Sequence, residues 1–181
     1  GDGKTVVEDL KLIDGWSNVD IPKFVMTYKD TDAWSDFISA VRMTANIDKS
    51  TVSMHTLGYF APALKNFHMT ARVKGNVDGY VNDLHLKGMQ FITSDADGFV
   101  DWDRAGGNGI SGELSGSIIG LPDSQAMLTE ADVKRISFTS AGLEHFIKGW
   151  ARNASLDIGK ICKGETMTFT GKARGPLNRM A

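Results

Sequence analysis

The sequence predicts a mainly β protein: an elongated, curved antiparallel sheet (a β-taco-like groove) with one or two short amphipathic helices. Apolar and polar residues alternate over most of the chain. Glycine is frequent, at 20 of 181 residues, and proline is scarce, at 4. Period-two alternation sends neighbouring side chains to opposite strand faces, and abundant glycine supplies the turns between strands.

The elements follow in order. Residues 5–14 and 19–29 alternate as strands, with Pro22 expected at an edge strand or a strand start. Residues 31–41 place Trp34, Phe37, Ile38 and Val41 on one helical face, with Asp30, Thr31 or Asp32 as cap. Residues 50–60 return to strand. From Phe67 to Val81 the alternation is cleanest: Phe67, Met69, Ala71, Val73, Gly75, Val77, Gly79 and Val81 share one parity. After Asn82-Asp83 the apolar parity switches to Leu84 and Leu86, which predicts a turn or bulge. Further strands are expected at 84–93, 98–103, 110–119 and 132–139. A second helix is expected over 140–152, with Leu143, Phe146, Ile147 and Trp150 on one face and Ser140 as cap. It would lie across the sheet or plug an open end.

Composition narrows the function. Lysine plus arginine number 20 against 22 aspartate plus glutamate, so no net field points to nucleic acid or an anionic membrane surface. The single Cys162 excludes an intramolecular disulfide framework. No stretch approaches the roughly 20 apolar residues of a membrane-spanning helix, and no signal-peptide pattern opens the chain.

Catalytic and metal signatures do not assemble. Neither GxxxxGK[ST] nor GxGxxG occurs, and Ser115 follows Leu114 and Glu113 where a nucleophile elbow needs glycine. The histidines (His55, His68, His85, His145) lie singly, with no pair at metal-ligand spacing. The acidic loop at 94–108 puts Val100 where an EF-hand needs glycine; it reads as an exposed acidic hairpin. Cys162 has Lys160 and Lys163 nearby, but nothing else supports a nucleophile. The expectation is a non-enzymatic protein with no metal and no cofactor.

One pattern recurs. Val73-Gly75-Val77-Gly79, Leu114-Gly116-Ile118-Gly120 and Phe169-Gly171-Ala173-Gly175 each set glycines at alternate positions of an apolar face. The third copy closes the chain, which predicts that residues 1–181 form a single β-rich segment of a longer repetitive protein. Glycine on a packing face serves one of two ends. It admits another backbone closely, or it leaves a channel lined by aliphatic side chains. A channel has a physical motive, since shielding a 16-carbon acyl chain from water is worth up to about 13 kcal/mol, at about 0.8 kcal/mol per CH₂.

The stretches "IPKFVMTYKDTDAWSDF", "STVSMHTLGYFAPALKN", "VKGNVDGYVNDLHLKG" and "GLPDSQAMLTEADVKRISFTSAGLEHFI" resemble the central region of TamB proteins, the inner-membrane subunit of the translocation and assembly module in the AsmA-like group of bridge-like proteins. The resemblance runs from about residue 6 to the end. It implies a periplasmic location within an inner-membrane-anchored envelope protein, an outer-membrane partner of the BamA type, and phospholipid or another acyl-chain lipid as cargo. Phe67, Met69, Val73, Val77, Val81, Leu114, Ile118, Phe169 and Ala173 would line the groove, with Gly75, Gly79, Gly116, Gly120, Gly171 and Gly175 as structural glycines. The alternative is a closed β-rich interaction or chaperone module that assists outer-membrane protein assembly without conducting lipid. A further reading is a hydrolase or glycan-binding β-protein using Trp102 or Tyr59. Exposed strand edges could also pair copies into a dimer.

Overall fold

The computed structural model describes residues 3–59, 69–95, 110–121, 123, 128–140, 142–143 and 166–176. They form one open, curved sheet of eight antiparallel strands in sequence order. These are β1 (Gly3–Ile13), β2 (Asn18–Tyr28), β3 (Arg42–Ser53), β4 (Met69–Tyr80), β5 (Asp83–Asp95), β6 (Ile110–Ile119), β7 (Leu128–Phe138) and β8 (Met167–Pro176). Each strand pairs with the runs before and after it, in keeping with the tendency of consecutive elements to lie side by side. The expected 98–103 strand lies outside the described residues.

The sequence expectations for β1, β2, β4, β5, β6 and β7 hold, but two stretches differ. Residues 50–60 are not one strand. β3 starts earlier, at Arg42, and ends at Ser53, whose hydroxyl accepts the His55 N–H and caps a short helix, α2 (Met54–Leu57). Over 31–41 the chain forms a 3₁₀ turn (Thr31–Asp36) before one turn of α-helix, α1 (Phe37–Ala40), with Asp30 capping through the Asp32 N–H. The tighter 3₁₀ geometry suits a run of Ser and Asp whose side chains bond locally, as the Ser35 hydroxyl does to the Asp32 carbonyl. Val41 ends this segment fully buried, while Trp34 and Ile38 stay exposed. Trp34 instead meets Tyr28 edge-on, ring centroids 5.2 Å apart. Of the expected 140–152 helix only the start is described. There Thr139, not Ser140, is the cap: its hydroxyl accepts the Gly142 N–H at 3.1 Å.

Pro22 corrects another expectation. β2 pairs with both β1 and β3, so Pro22 sits inside a central strand. It lies where the β2–β3 register slips between Asp20 and Lys23, and opposite Asp9 of β1, whose φ is 52°. Proline has no N–H to give a ladder, and a bulge is where a strand tolerates it.

That irregularity belongs to a line of bulges crossing the whole sheet. β3 slips against β4 between Ile47 and Ser50, β5 against β6 between Leu86 and Met89, and β7 against β8 between Val133 and Ile136. In each case two residues (48–49, 87–88, 134–135) face one (Lys74, Ser115, Thr170), and that one precedes the first repeat glycine. The glycine copies therefore sit on β4, β6 and β8 at equivalent rungs, and the structural repeat is a two-strand unit. Asp9, Lys49 and Gly88 all take positive φ at this line, at 52°, 30° and 56°. An extra residue in every second strand bends the strand and steepens its twist, which accounts for the curvature.

The bulges expose backbone groups that serine satisfies. The Ser50 hydroxyl accepts the Asp20 N–H at 2.8 Å and donates to the Asp48 carbonyl at 2.9 Å. Ser50 is fully buried although it stands on an apolar face. On β5 the Gly88 N–H reaches the Ser115 hydroxyl at 2.9 Å.

Candidate functional site

Register and alternation together sort the sheet into two unlike faces. On one, β3 presents Met43, Ala45, Ile47 and Val52, β4 presents Ala71, Val73 and Val77, and β5 presents Leu84, Leu86, Met89 and Phe91. β6 continues it with Ile110, Leu114 and Ile118, and β7 with Ala131, Val133, Ile136 and Phe138. Toward the other edge the same face carries Phe24 and Met26 of β2 with Val7 and Leu10 of β1. The bulge is what keeps it apolar: two consecutive polar residues would flip the parity of a regular strand, and the extra residue restores it.

The opposite face is polar and cross-linked between strands. The Arg42 guanidinium grips Asp78 with Nη2–Oδ2 at 2.6 Å and Nε–Oδ1 at 3.2 Å, and the Thr44 hydroxyl adds a bond at 3.0 Å. This holds the Asp78 carboxyl at about 2, well below its ordinary value, with the Arg42 hydrogen bond as the largest cause. Asn46 donates to Asn76 at 2.9 Å, Lys134 meets Glu113 at 2.8 Å, and Arg174 meets Glu130 at 2.7 Å. Lys134 and Gln90 together keep the Glu113 carboxyl below its usual range. These pairs fix register and keep this face in water; being exposed and screened by solvent, each adds little stability. Two open depressions on this side, of about 610 and about 440 Å³, take in some of these paired groups: Glu130 and Arg174 line the first, Gln90, Glu113 and Lys134 the second.

The apolar face is only half-covered. Its buried hydrophobic members are Ile21, Ala45, Ala71, Ile110 and Val133, each less than a tenth exposed. Val73, Val77, Leu114 and Ile118 are intermediate, while Phe169 and Ala173 are exposed. Among the described residues no second sheet packs against this face.

The expected groove residues thus divide. Val73, Val77, Leu114, Ile118, Phe169 and Ala173 share the apolar face across β4, β6 and β8. Val81 lies beyond β4 in the turn to β5 and is not a strand-face position. Met69 opens β4 opposite Asp95, and Phe67 lies outside the described residues. The expected groove residues left out the intervening strands, which place Met43, Ala45, Leu84, Leu86, Val133 and Ile136 on the same face. Their signal was present in the recurring order Val7-x-x-Leu10-x-Leu12, Ile47-x-x-Ser50-x-Val52, Leu86-x-x-Met89-x-Phe91 and Val133-x-x-Ile136-x-Phe138.

The glycines answer the packing question locally. A Cβ on Gly75, whose φ is +153°, would stand 2.8 Å from the Met89 Cα across the β4–β5 bulge. A Cβ on Gly79 would strike the Asp83 carbonyl, and one on Gly116 the Glu130 carbonyl. The space they leave is filled by neighbouring backbone within the sheet. Gly120 lies past β6 and donates its N–H to the Asn82 carbonyl at 2.8 Å. Gly171 and Gly175 sit on β8 opposite Val133 and Thr129.

At the β1–β2 end, Trp16, His55 and Tyr59 form an aromatic row, with centroids 4.9 and 5.7 Å apart. Asp14 ties this end together by accepting from the Trp16 and Ser17 N–H groups and the Thr56 hydroxyl, which lowers its pKa. His85 stands exposed on the polar face beside Asp83 at 3.2 Å. No cluster of three metal-ligating side chains occurs among the described residues, and no described helix is long and apolar enough to cross a membrane. Cys162, His68, His145, Trp102 and residues 96–108 of the acidic loop lie outside the described residues. In comparisons with family models, curated proteins and solved structures, no match to this chain is found.

Proposed function

We propose that the chain is a non-enzymatic segment whose apolar sheet face shields or conducts acyl chains of phospholipid, as part of an envelope protein that supports outer-membrane biogenesis from the periplasm. The observation that carries this reading is the apolar face itself: it runs unbroken across eight strands, stays half-exposed, and is backed by a face of cross-strand ion pairs. A face built for a packed core would bury its large side chains. This one leaves Val73, Val77, Leu114 and Ile118 partly open. Across seven inter-strand spacings of about 4.8 Å the strip is roughly 34 Å wide, and burying acyl methylenes on it yields about 0.8 kcal/mol each.

The test is direct. Protein purified from a bacterial envelope fraction is extracted with organic solvent and analysed for phospholipid by mass spectrometry. In parallel, photo-crosslinking side chains are placed at positions 77 and 118 on the apolar face and at 76 on the polar face. Co-purifying phospholipid with crosslinks at 77 and 118, and none at 76, supports the reading. Lipid-free protein without crosslinks at either apolar position refutes it and leaves the closed interaction module.

A further inference from the structure

We propose that the smaller depression on the polar face, over β5, β6 and β7, binds a phosphate group, either as free phosphate or as the ester of a lipid headgroup. The site does not depend on what the apolar face carries. Gln90, Ser111, Glu113, Lys134 and Arg135 line it, around a volume of about 440 Å³. β4 and β8 flank these strands, so every wall is interior to the sheet.

The register concentrates positive charge here. One rung of the polar face runs Lys74, Gln90, Glu113, Arg135, with Lys134 added by the β7 bulge, and the next runs Arg72, Ile92, Ser111, Ser137. Over β4–β7 these rungs set Arg72, Lys74, Lys134 and Arg135 against the single carboxylate of Glu113. The chain as a whole has the opposite balance, 22 acidic residues to 20 basic. Glu113 is already committed: Lys134 meets one of its oxygens at 2.8 Å and Gln90 the other at 3.2 Å. Asp132, the next carboxylate along β7, lies across the bulge and lines the other depression. Donors remain for a ligand. Arg135 is exposed, and among the described residues it donates only its Nε–H, to the Ser137 hydroxyl at 3.1 Å. Its Nη groups are left as a fork that fits two phosphate oxygens side by side. Lys134 gives one of its three donors to Glu113, and the Ser111 hydroxyl supplies another from β6. A phosphate group offers three acceptor oxygens to this set, where a carboxylate offers two.

Isothermal titration calorimetry in low-salt buffer, with inorganic phosphate and with glycerol phosphate, reads the site. Saturable binding of at least one is expected. Tighter binding of glycerol phosphate identifies a headgroup ester as the ligand, and equal or tighter binding of inorganic phosphate identifies the free ion. Arg135→Gln should weaken binding about tenfold. Glu113→Gln removes the one opposing charge and releases Lys134, so it should tighten binding about threefold, a gain that damaged folding cannot produce. Lys29→Gln, in the connection from β2 to β3, should leave the affinity as it is. No saturable binding of either ligand overturns the proposal. So does an affinity unchanged by Arg135→Gln, a Glu113→Gln variant that binds no tighter than the parent, or an equal loss in Lys29→Gln.

Discussion

At the scale of single residues, Gly75 and Asp78 show how the two faces of one strand are specified three positions apart. Gly75 has positive φ and a neighbouring backbone where its side chain would be, so Gly75→Ala is expected to destabilise by more than about 1 kcal/mol. Gly15 has nothing within 4 Å of an added Cβ, and Gly15→Ala should be near neutral; paired urea melts compare the two. Asp78 makes a pH prediction. Its folded pKa is depressed to about 2, so the pair adds stability above the ordinary carboxylate range near ~3.9 and loses it as pH falls through about 2. Arg42→Ala should move the Asp78 titration, followed by carboxyl NMR, back up toward the ordinary value. The stability gap between Arg42→Ala and the parent, small for so exposed a pair, should shrink as pH falls from about 4 to about 2.

At the scale of elements, the bulge line is the feature on which curvature and facial segregation both depend. Ser50 holds one bulge by bonding groups on β2 and β3 at once. Ser50→Ala leaves the half-buried Asp20 N–H without that acceptor, and a cost of about 1 kcal/mol follows. Thermal melts give the magnitude, and hydrogen exchange at Asp20 should lose protection ahead of the rest of β2. The bulges also explain which elements could be read from sequence. β4 alternates without interruption, so its strand and its apolar face were legible residue by residue. β3 was not, because Asp48-Lys49 breaks the alternation and the tail of the strand looks like a separate run. The same break hid the apolar contributions of β5 and β7, though Leu86-Lys87-Gly88-Met89 carries the information once the two-strand period is known. Pro22 misled for a related reason: a sequence pattern shows a missing donor, and only the ladder shows that a register slip absorbs it. The 3₁₀ turn at Thr31–Asp36 was beyond the periodicity as well, since local Ser and Asp hydrogen bonds, not the apolar stripe, decide between 3₁₀ and α.

At the scale of the whole molecule, an open sheet with one apolar face is held by ladder hydrogen bonds and lateral contacts more than by a sealed core, and that difference is measurable. Val77 lies at the centre of the apolar face, between Ala45 of β3 and Leu86 of β5, and is half-buried. In a closed core a carboxylate there would be unpaired and out of water, a loss of several kcal/mol that would unfold the chain. On an open face the new carboxylate can stay hydrated, and the loss is confined to part of the valine's burial, about 1–2 kcal/mol. Val77→Asp is therefore expected to keep its β-sheet circular dichroism with a modestly lowered melting temperature. Under the proposed lipid-shielding reading, lipid recovered by extraction should fall sharply, since a charge now interrupts the strip. Val77→Thr separates shape from polarity: it preserves volume, should melt close to the parent, and should retain more lipid than Val77→Asp. If Val77→Asp unfolds while Val77→Thr does not, the face is sealed by other parts of the chain and the closed module replaces the lipid-shielding groove.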